Sequence, residues 1–197
     1  MWVVKLGGSL LEAGYLDGWI DWLRSRAAAP GSLLVVPGGG PWADAVRALQ
    51  PMLGASDLTA HRQALLSMQQ YGWLLLQRLP AAQAWHTDAT KPVAGLSVWL
   101  PEATHAGSLG CPSDWRTSSD ALALELALEL DARGLICVKS VSPLTGVHAT
   151  DCFDGVCLGL AAHCAMPVGW FGPHEQALAE AWLAGGALPA SHRLGSP

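Results

Sequence analysis

A chain of 197 residues, 51% of them hydrophobic, is long enough for one domain that buries roughly 70% of the surface exposed by its unfolded chain. Charged residues make up only 14% and the formal net charge is −5, so no basic surface is available for phosphate backbones and nucleic acid is excluded as a partner. No apolar run reaches the ~18 residues that cross a bilayer. The chain shows a strand pattern from residue 2 rather than a signal-peptide pattern, so we expect a cytoplasmic protein without a membrane partner.

The cysteines and histidines show no metal-ligating spacing. The five cysteines are an odd number without a C-x-x-C pair, and the seven histidines form neither an H-x-H nor an H-E-x-x-H pattern. We therefore expect reduced thiols and no metal site built from side chains.

The first predicted element is a strand over residues 2–6 that leads through a short polar turn into a helix near 10–28. The turn consists of Gly7, Gly8 and Ser9. Glycines allow backbone N–H groups to approach an anion closely, the helix N-terminus adds partial positive charge, and Lys5 adds a full charge. The pattern indicates phosphate binding, and a tight strand-to-helix connection is the structural alternative.

A second strand of the same design is predicted over 32–37. It runs into Gly38, Gly39 and Gly40, and Pro41 then opens a helix near 41–50, where its fixed φ suits the first turn. Three glycines cost backbone entropy, so their presence indicates a sharp turn, a ligand held by bare backbone, or both.

A longer helix is predicted over about 58–78, with Asp57 as its N-cap. Short apolar runs at 82–86 and 95–100 predict two further strands. Six tryptophans on these and other elements lie at helix-face or strand positions, so we expect them in the core. They are Trp19, Trp22, Trp42, Trp73, Trp99 and Trp182.

A polar loop over residues 114–118 precedes a helix over 119–132. Ser118 or Ser119 can cap that helix, and Asp120 stands in its first turn, where the helix dipole alone would favour an acid. Trp115 lies in the loop, where an aromatic ring could cover a ring-shaped substrate or simply pack.

The last part of the chain predicts a buried strand at 134–138, a further strand at 166–171 and a helix at 173–184. The segment after residue 145 is poorly patterned, and the tail from 189 looks loosely ordered. The alternation of strands and helices predicts an α/β fold, a three-layer αβα sandwich with a mainly parallel central sheet. No linker divides the chain, so residues 1–197 are expected to form a single domain.

Three of these elements together resemble the amino acid kinase family. Its members open with a Lys-x-Gly-Gly-Ser strand turn, carry three glycines after the second strand, and bear an aspartate at a serine- or asparagine-containing helix start. The matching segments here are 5–9, 38–40 and 117–120, and their order and intervals agree over roughly residues 1–140. Within the family, segments 61–68 and 114–120 look most like the small kinases that act on (aminomethyl)furanmethanol phosphate.

The resemblance implies an ATP-dependent phosphotransferase that moves the γ-phosphoryl group to a small acceptor, with Mg²⁺ as the nucleotide's counterion and a homo-oligomeric assembly. Lys5 would bridge the donor and transferred phosphates, and Asp120 would orient Lys5. Phosphate and nucleotide binding would fall to Gly7, Gly8, Ser9, Gly38, Gly39, Gly40, Lys139 and Ser140. Acceptor binding would fall to Arg62, Asp114, Trp115, Thr117 and Ser118. If the acceptor is the furan phosphate, Asp114 would pair its ammonium group and Arg62 its phosphate.

The chain departs from the family after strand 134–138. Lys139 and Ser140 stand where relatives usually have a Thr/Ser-Asp pair, no lysine follows Lys139, and the region after 145 is short, which implies a shortened nucleotide-binding part. Lys139 either supplies charge near the nucleotide phosphates or is a surface lysine. The alternatives are a non-catalytic binding or storage module with a kinase fold, or a kinase for another acceptor such as a carboxylate or a nucleoside monophosphate.

Overall fold

Strands β1 to β7 form one sheet in the computed structural model, which describes residues 1–29, 31–87, 92, 94–107 and 110–195. They are β1 (Trp2–Leu6), β2 (Ser32–Pro37), β3 (Gln83–Trp85), β4 (Gly95–Trp99), β5 (Leu135–Val138), β6 (Val168–Phe171) and β7 (Arg193–Leu194). The helices are α1 (Ser9–Glu12), α2 (Leu16–Arg26), α3 (Gly40–Leu53), α4 (Asp57–Arg78), α5 (Ser119–Glu129), α6 (Ala149–Cys152), α7 (Gly155–His163) and α8 (Gln176–Leu183). Short 3₁₀ turns lie at Ala103–His105, Pro143–Thr145 and Ala190–His192.

The sheet order is β3-β4-β2-β1-β5-β6-β7, and every neighbouring pair is parallel except β6 with β7. Leu6, the last residue of β1, pairs with Pro37 of β2 and with Val138 of β5. Because parallel strands end at one edge of the sheet, the residues that follow these three strands are brought together.

Helices cover both faces of the sheet, which confirms the predicted three-layer sandwich. Val3 and its neighbours on β2 and β5 pack under α5 and α7, whereas Val4 and its neighbours pack under α2 and α8. Burial on both faces explains why β1, β2 and β5 read as continuous apolar runs. Lys5 shares the register of Val36 and Cys137, so it lies on the face that α5 covers.

Several helix boundaries differ from the sequence-based predictions. The single helix expected near 10–28 is divided into α1 and α2, and Gly14 in the break has a φ of +71°, a conformation that only glycine adopts easily. The N-cap of α4 is Ser56, whose Oγ accepts a hydrogen bond from the Thr59 N–H at 3.2 Å, so the prediction of Asp57 as the cap is wrong.

The C-terminal part is more ordered than the sequence indicated. The poorly patterned segment after 145 contains α6 and α7, and the tail adds β7, which pairs with Gly169 and Val168 of β6. Among the tryptophans expected in the core, Trp73 is an exception, with 58% of its surface exposed, and Trp42 is only half-buried. Within the described ranges, no helix is both long and apolar enough to cross a membrane.

Candidate active site

A cavity of about 320 Å³ opens beyond the carboxyl ends of β1, β2 and β5. The glycine turns after β1 and β2 form one wall, α4 and the loop before α5 form another, and Lys5, Asp120 and Lys139 lie together among the lining residues. Residues predicted from three distant parts of the sequence therefore meet in one place.

The two glycine turns pack backbone against backbone. A Cβ on Gly8 would lie 2.3 Å from the backbone N of Gly40, and a Cβ on Gly38 would lie 2.5 Å from the backbone N of Gly8. No side chain fits at either distance, so the bare backbone is required by the contact between the turns.

Only some of the turn amides are free for a ligand. The Gly7 N–H donates to the Val138 carbonyl at 2.9 Å, and the Gly38 N–H donates to the Leu6 carbonyl at 2.8 Å. The role predicted for the amide of Gly7 in holding phosphate is therefore corrected, since the sheet uses that donor. In the part of the chain that the structure describes, the N–H groups of Gly8 and Gly39 have no such partner.

Asp120 bridges two lysines at the floor of the cavity. Its Oδ1 lies 2.7 Å from Lys5 Nζ, and its Oδ2 accepts a hydrogen bond from Lys139 Nζ. The side chains are 3% (Lys5), 4% (Asp120) and 13% (Lys139) exposed, so all three are buried or nearly so. The group carries two positive charges and one negative charge when all members are ionised.

Burial and charge pairing compete in this group. Burial lowers the pKa of Lys5, with the Asp120 carboxylate opposing the shift. Burial likewise disfavours the charged forms of Asp120 and Lys139, but pairing outweighs it: the two lysines bring the pKa of Asp120 down to about 2, and Asp120 raises the pKa of Lys139. At neutral pH, Asp120 is therefore a carboxylate held between cations.

Lys139 is not a surface lysine, so that alternative of the sequence analysis is wrong. Besides Asp120, its Nζ donates to the Cys152 carbonyl at 2.8 Å and lies 4.3 Å from the centroid of the Phe153 ring. The segment that joins α6 to α7 therefore holds this lysine in the cavity.

Trp115 forms part of the cavity wall, as its predicted role requires. Its Nε1 donates to Gln50 Oε1 at the end of α3, and the Arg47 guanidinium stacks 4.4 Å from its ring centroid. His61 also lines the cavity, and burial lowers its pKa, so the neutral imidazole is favoured at pH 7. Thr117 and Ser118 also line the cavity, although the Thr117 hydroxyl donates to the Pro112 carbonyl.

The structure does not bring Arg62 or Asp114 to the cavity, and their predicted acceptor contacts are corrected. Arg62 is exposed, because one residue along a helix rotates a side chain by about 100° and its neighbour His61 faces inward. Asp114 accepts hydrogen bonds from the Arg116 side chain at 2.7 and 3.0 Å and from the Arg116 N–H at 2.9 Å. Its carboxylate is therefore already paired.

Ser140 lines a second, larger cavity of about 520 Å³ beyond the ends of β5 and β6. Tyr15 and His174 form part of its wall, and their rings meet edge to face with centroids 5.3 Å apart. Glu175 also lines it, and its carboxylate accepts hydrogen bonds from Ser142 Oγ and from the Gly172 N–H. This cavity adjoins the strand end that carries Lys139.

Sequence reasoning missed several residues at the first cavity, Arg47, Cys152 and Asp154 among them. Arg47 had no signal beyond its place in a predicted helix, and Cys152 contributes a backbone carbonyl that no pattern reveals. Asp154 had a usable signal, because an aspartate before an apolar helical run is an N-cap pattern, and here it caps α7.

Solved structures that share this architecture include two uridylate kinases. A uridylate kinase from Archaeoglobus fulgidus matches with a TM-score of 0.66 and 18% identity over 94% of this chain and 96% of that chain. A UMP kinase from Bacillus anthracis matches with a TM-score of 0.64 and 14% identity over 93% of this chain and 91% of that chain. No protein-family model matches the sequence, and no curated protein matches it significantly. At these identities the likeness concerns the fold, and the chain has the amino acid kinase-like α/β architecture of these two enzymes.

Proposed function

We propose that the protein is a cytoplasmic ATP-dependent kinase that transfers the γ-phosphoryl group to a small acceptor bound in the first cavity. The observation that carries this proposal is the Lys5–Asp120–Lys139 group beneath two glycine turns with free amides. The two solved structures described above are uridylate kinases, which supports phosphotransfer as the chemistry.

Phosphoryl transfer needs positioning and charge neutralisation more than covalent chemistry. Lys5 and Lys139 would neutralise the charge of the transferring group, and the amides of Gly8, Gly39 and Gly40 would hold its oxygens. Asp120 would orient the lysines rather than act as a base, since its pKa of about 2 and its two ion pairs make it a weak proton acceptor.

The second cavity supports a place for the nucleoside part of ATP, because it lies beside the strand end that carries Lys139 and Ser140. Tyr15 offers an aromatic edge to a base there. Mg²⁺ favours phosphate and carboxylate oxygens and would enter with the nucleotide; Glu12 presents a carboxylate at the first cavity. The ion would neutralise charge on the phosphates.

Two acceptor classes follow from different observations. The aromatic wall at Trp115, with the Arg47 guanidinium on its ring, suits a flat ring carrying an anionic group, as in (aminomethyl)furanmethanol phosphate of methanofuran-type cofactor synthesis. Arg47 replaces Arg62 as the cation on this side. A nucleoside monophosphate is the second candidate, because the two solved structures described above are uridylate kinases.

A parallel assay separates these acceptors. The protein with MgATP is incubated with (aminomethyl)furanmethanol phosphate, uridine monophosphate, acetylglutamate or isopentenyl phosphate, and ADP release is measured. Release with the furan phosphate alone supports the first candidate, and preference for uridine monophosphate supports the second. Absence of ATP binding by calorimetry would overturn the kinase proposal and favour a non-catalytic binding module.

We also propose that the protein forms a homo-oligomer through α3 and α4. Six exposed large apolar side chains lie on these two helices. They are Leu49, Met52, Leu53, Leu58, Leu66 and Trp73. Monomeric proteins rarely leave so many apolar side chains exposed on one helix pair, and a second copy of the same face would cover them.

A further inference from the structure

Asp154 joins the N-termini of two helices beside the cavity. Its Oδ1 accepts a hydrogen bond from the Cys157 N–H at 2.8 Å and so caps α7. Its Oδ2 accepts from Ser118 Oγ at 2.5 Å and lies 3.3 Å from the Ser118 backbone N, which also donates to it. Ser118 is the N-cap of α5, the helix that carries Asp120.

The Ser118 hydroxyl has two acceptors within reach but only one proton. Its Oγ lies 2.5 Å from Asp154 Oδ2 and 3.3 Å from Asp120 Oδ2, and it accepts the Asp120 N–H at 3.1 Å. The shorter contact takes the proton, because hydrogen bonds between a hydroxyl and a carboxylate are strongest at 2.5–2.7 Å. Asp120 Oδ2 is thereby left to Lys139.

We propose that Asp154 is a positioning residue of the site: by accepting the Ser118 hydroxyl proton, it keeps both oxygens of Asp120 available to Lys5 and Lys139. The inference rests on the proposed phosphotransferase function. Asp154 acts through Ser118 and Asp120 rather than by touching the phosphoryl group.

The same segment holds Lys139 from its other side. The residues immediately before Asp154 supply the Cys152 carbonyl and the Phe153 ring that contact Lys139 Nζ. Asp154 anchors this segment to α5, the helix that carries Asp120. It thereby fixes the distance between Asp120 and the segment, both of which contact Lys139. The Asp154 carboxylate therefore determines both where the Ser118 hydroxyl proton points and where the Lys139 ammonium group lies.

The substitution Asp154→Asn tests whether the direction of the Ser118 hydroxyl proton affects the site. The asparagine side chain keeps an oxygen that can cap α7, but its amide presents N–H to Ser118 and cannot accept the hydroxyl proton. That hydroxyl must then turn to Asp120 Oδ2 and compete with Lys139. We expect kcat to fall by about 10- to 100-fold while the KM for MgATP changes little, because the loss concerns geometry in the transition state.

Removing the competing hydroxyl should restore turnover. In the double variant Asp154→Asn/Ser118→Ala, no hydroxyl proton competes with Lys139 for Asp120 Oδ2. The kcat should therefore return to about the level of Ser118→Ala alone. A double variant as slow as Asp154→Asn would overturn the proposal.

Lysine titration provides a readout that does not depend on turnover. Lys5, Lys91 and Lys139 are the only lysines of the sequence, so ¹³C labelling at lysine Cε gives three NMR signals, which Lys91→Arg helps to assign. Apart from Asp120, the titratable groups facing Lys139 are Lys5 and the thiols of Cys137, Cys152 and Cys157, which the substitution leaves in place. In Asp154→Asn, the raised pKa of Lys139 should fall by about half a pH unit or more.

Ser56→Ala is the matched control, because it removes the N-cap of α4 away from the cavity. It should lower stability without changing kcat or the pKa of Lys139. An equal fall of kcat in Ser56→Ala, or an unchanged Lys139 pKa in Asp154→Asn, would overturn the proposal. If the parent protein shows no phosphotransfer with any acceptor, the proposed function fails, whereas the lysine titration still decides the positioning role.

Discussion

Lys5 is a cation that the fold buries almost completely and then pairs with one carboxylate. Burying an unpaired ammonium is costly, and burial lowers the pKa of Lys5 even beside Asp120. A merely structural strand gains little from such a residue, since an apolar side chain would fill the position at lower cost. The burial of this charge beside the glycine turns is therefore best explained by an anion that arrives there.

Lys5→Met should lower kcat by about 10²–10³, in line with the loss of one preorganised electrostatic contact. The ion pair between Asp120 and Lys139 remains, so circular dichroism should show a folded protein. Steady-state kinetics with the best acceptor measures the effect. Arg24→Ala, which removes an exposed charge paired with Asp21, is the control and should leave kcat unchanged. Activity of Lys5→Met within about threefold of the parent would mean that Lys5 has no catalytic role.

At the scale of elements, the contact between the two glycine turns sets the shape of the phosphate site. The turns follow adjacent strands, and their backbones approach so closely that neither tolerates a side chain at the contact. This closeness places the free amides of Gly8 and Gly39 on one side of the cavity. A small displacement of either turn would separate donors that must converge on one group.

Gly8→Ala should weaken MgATP binding at least tenfold, or about 1.4 kcal/mol, because its Cβ would lie 2.3 Å from the Gly40 backbone N and push the turns apart. The overpacking should also lower the free energy of unfolding by about 1–3 kcal/mol. Calorimetry and urea unfolding measure the two effects. Gly159→Ala is the control, since nothing lies within 4 Å of its added Cβ in α7. Normal MgATP affinity in Gly8→Ala would contradict a phosphate-binding role for the turns.

Across the whole molecule, the buried apolar side chains form two clusters, one on each side of the sheet, and six of the large exposed ones lie on α3 and α4. The clusters on the two sides of the sheet account for the buried residues of the strands. The face on α3 and α4 has no such partner within the described chain. Trp73, expected in the core, lies on this face with more than half of its surface exposed.

The double variant Leu66→Lys/Trp73→Gln should convert the protein from a dimer or larger assembly to a monomer, because a lysine at the centre of an apolar interface lacks a partner. Sedimentation velocity measures the mass. Leu144→Gln, which changes an exposed leucine in the 3₁₀ turn Pro143–Thr145, is the control and should keep the parent's mass. A monomeric parent at micromolar concentration would contradict the proposed assembly.

Elements with local signals could be predicted from the amino-acid sequence. Residues 2–6, 32–37 and 134–138 are apolar runs of strand length, and glycines after the first two mark turns, so strands and phosphate-type turns could be predicted without tertiary information. The alternation of strands and helices predicted the parallel sheet. The sequence did not predict that β1 and β5 are neighbours, and this strand order is what brings Lys5 and Lys139 together at one edge.

Which side chains of the polar loop and of α4 face the cavity depends on tertiary packing, and no local pattern predicts it. Arg62 and His61 are neighbours in sequence, and the rotation of α4 against the sheet determines that the histidine is inside. The pairing of Asp114 with Arg116 and the order of the tail through β7 depend on contacts that no local pattern contains. Asp154 meets Ser118 across 36 residues of chain, because the packing of α7 on α5, rather than any spacing, brings the two helix starts together.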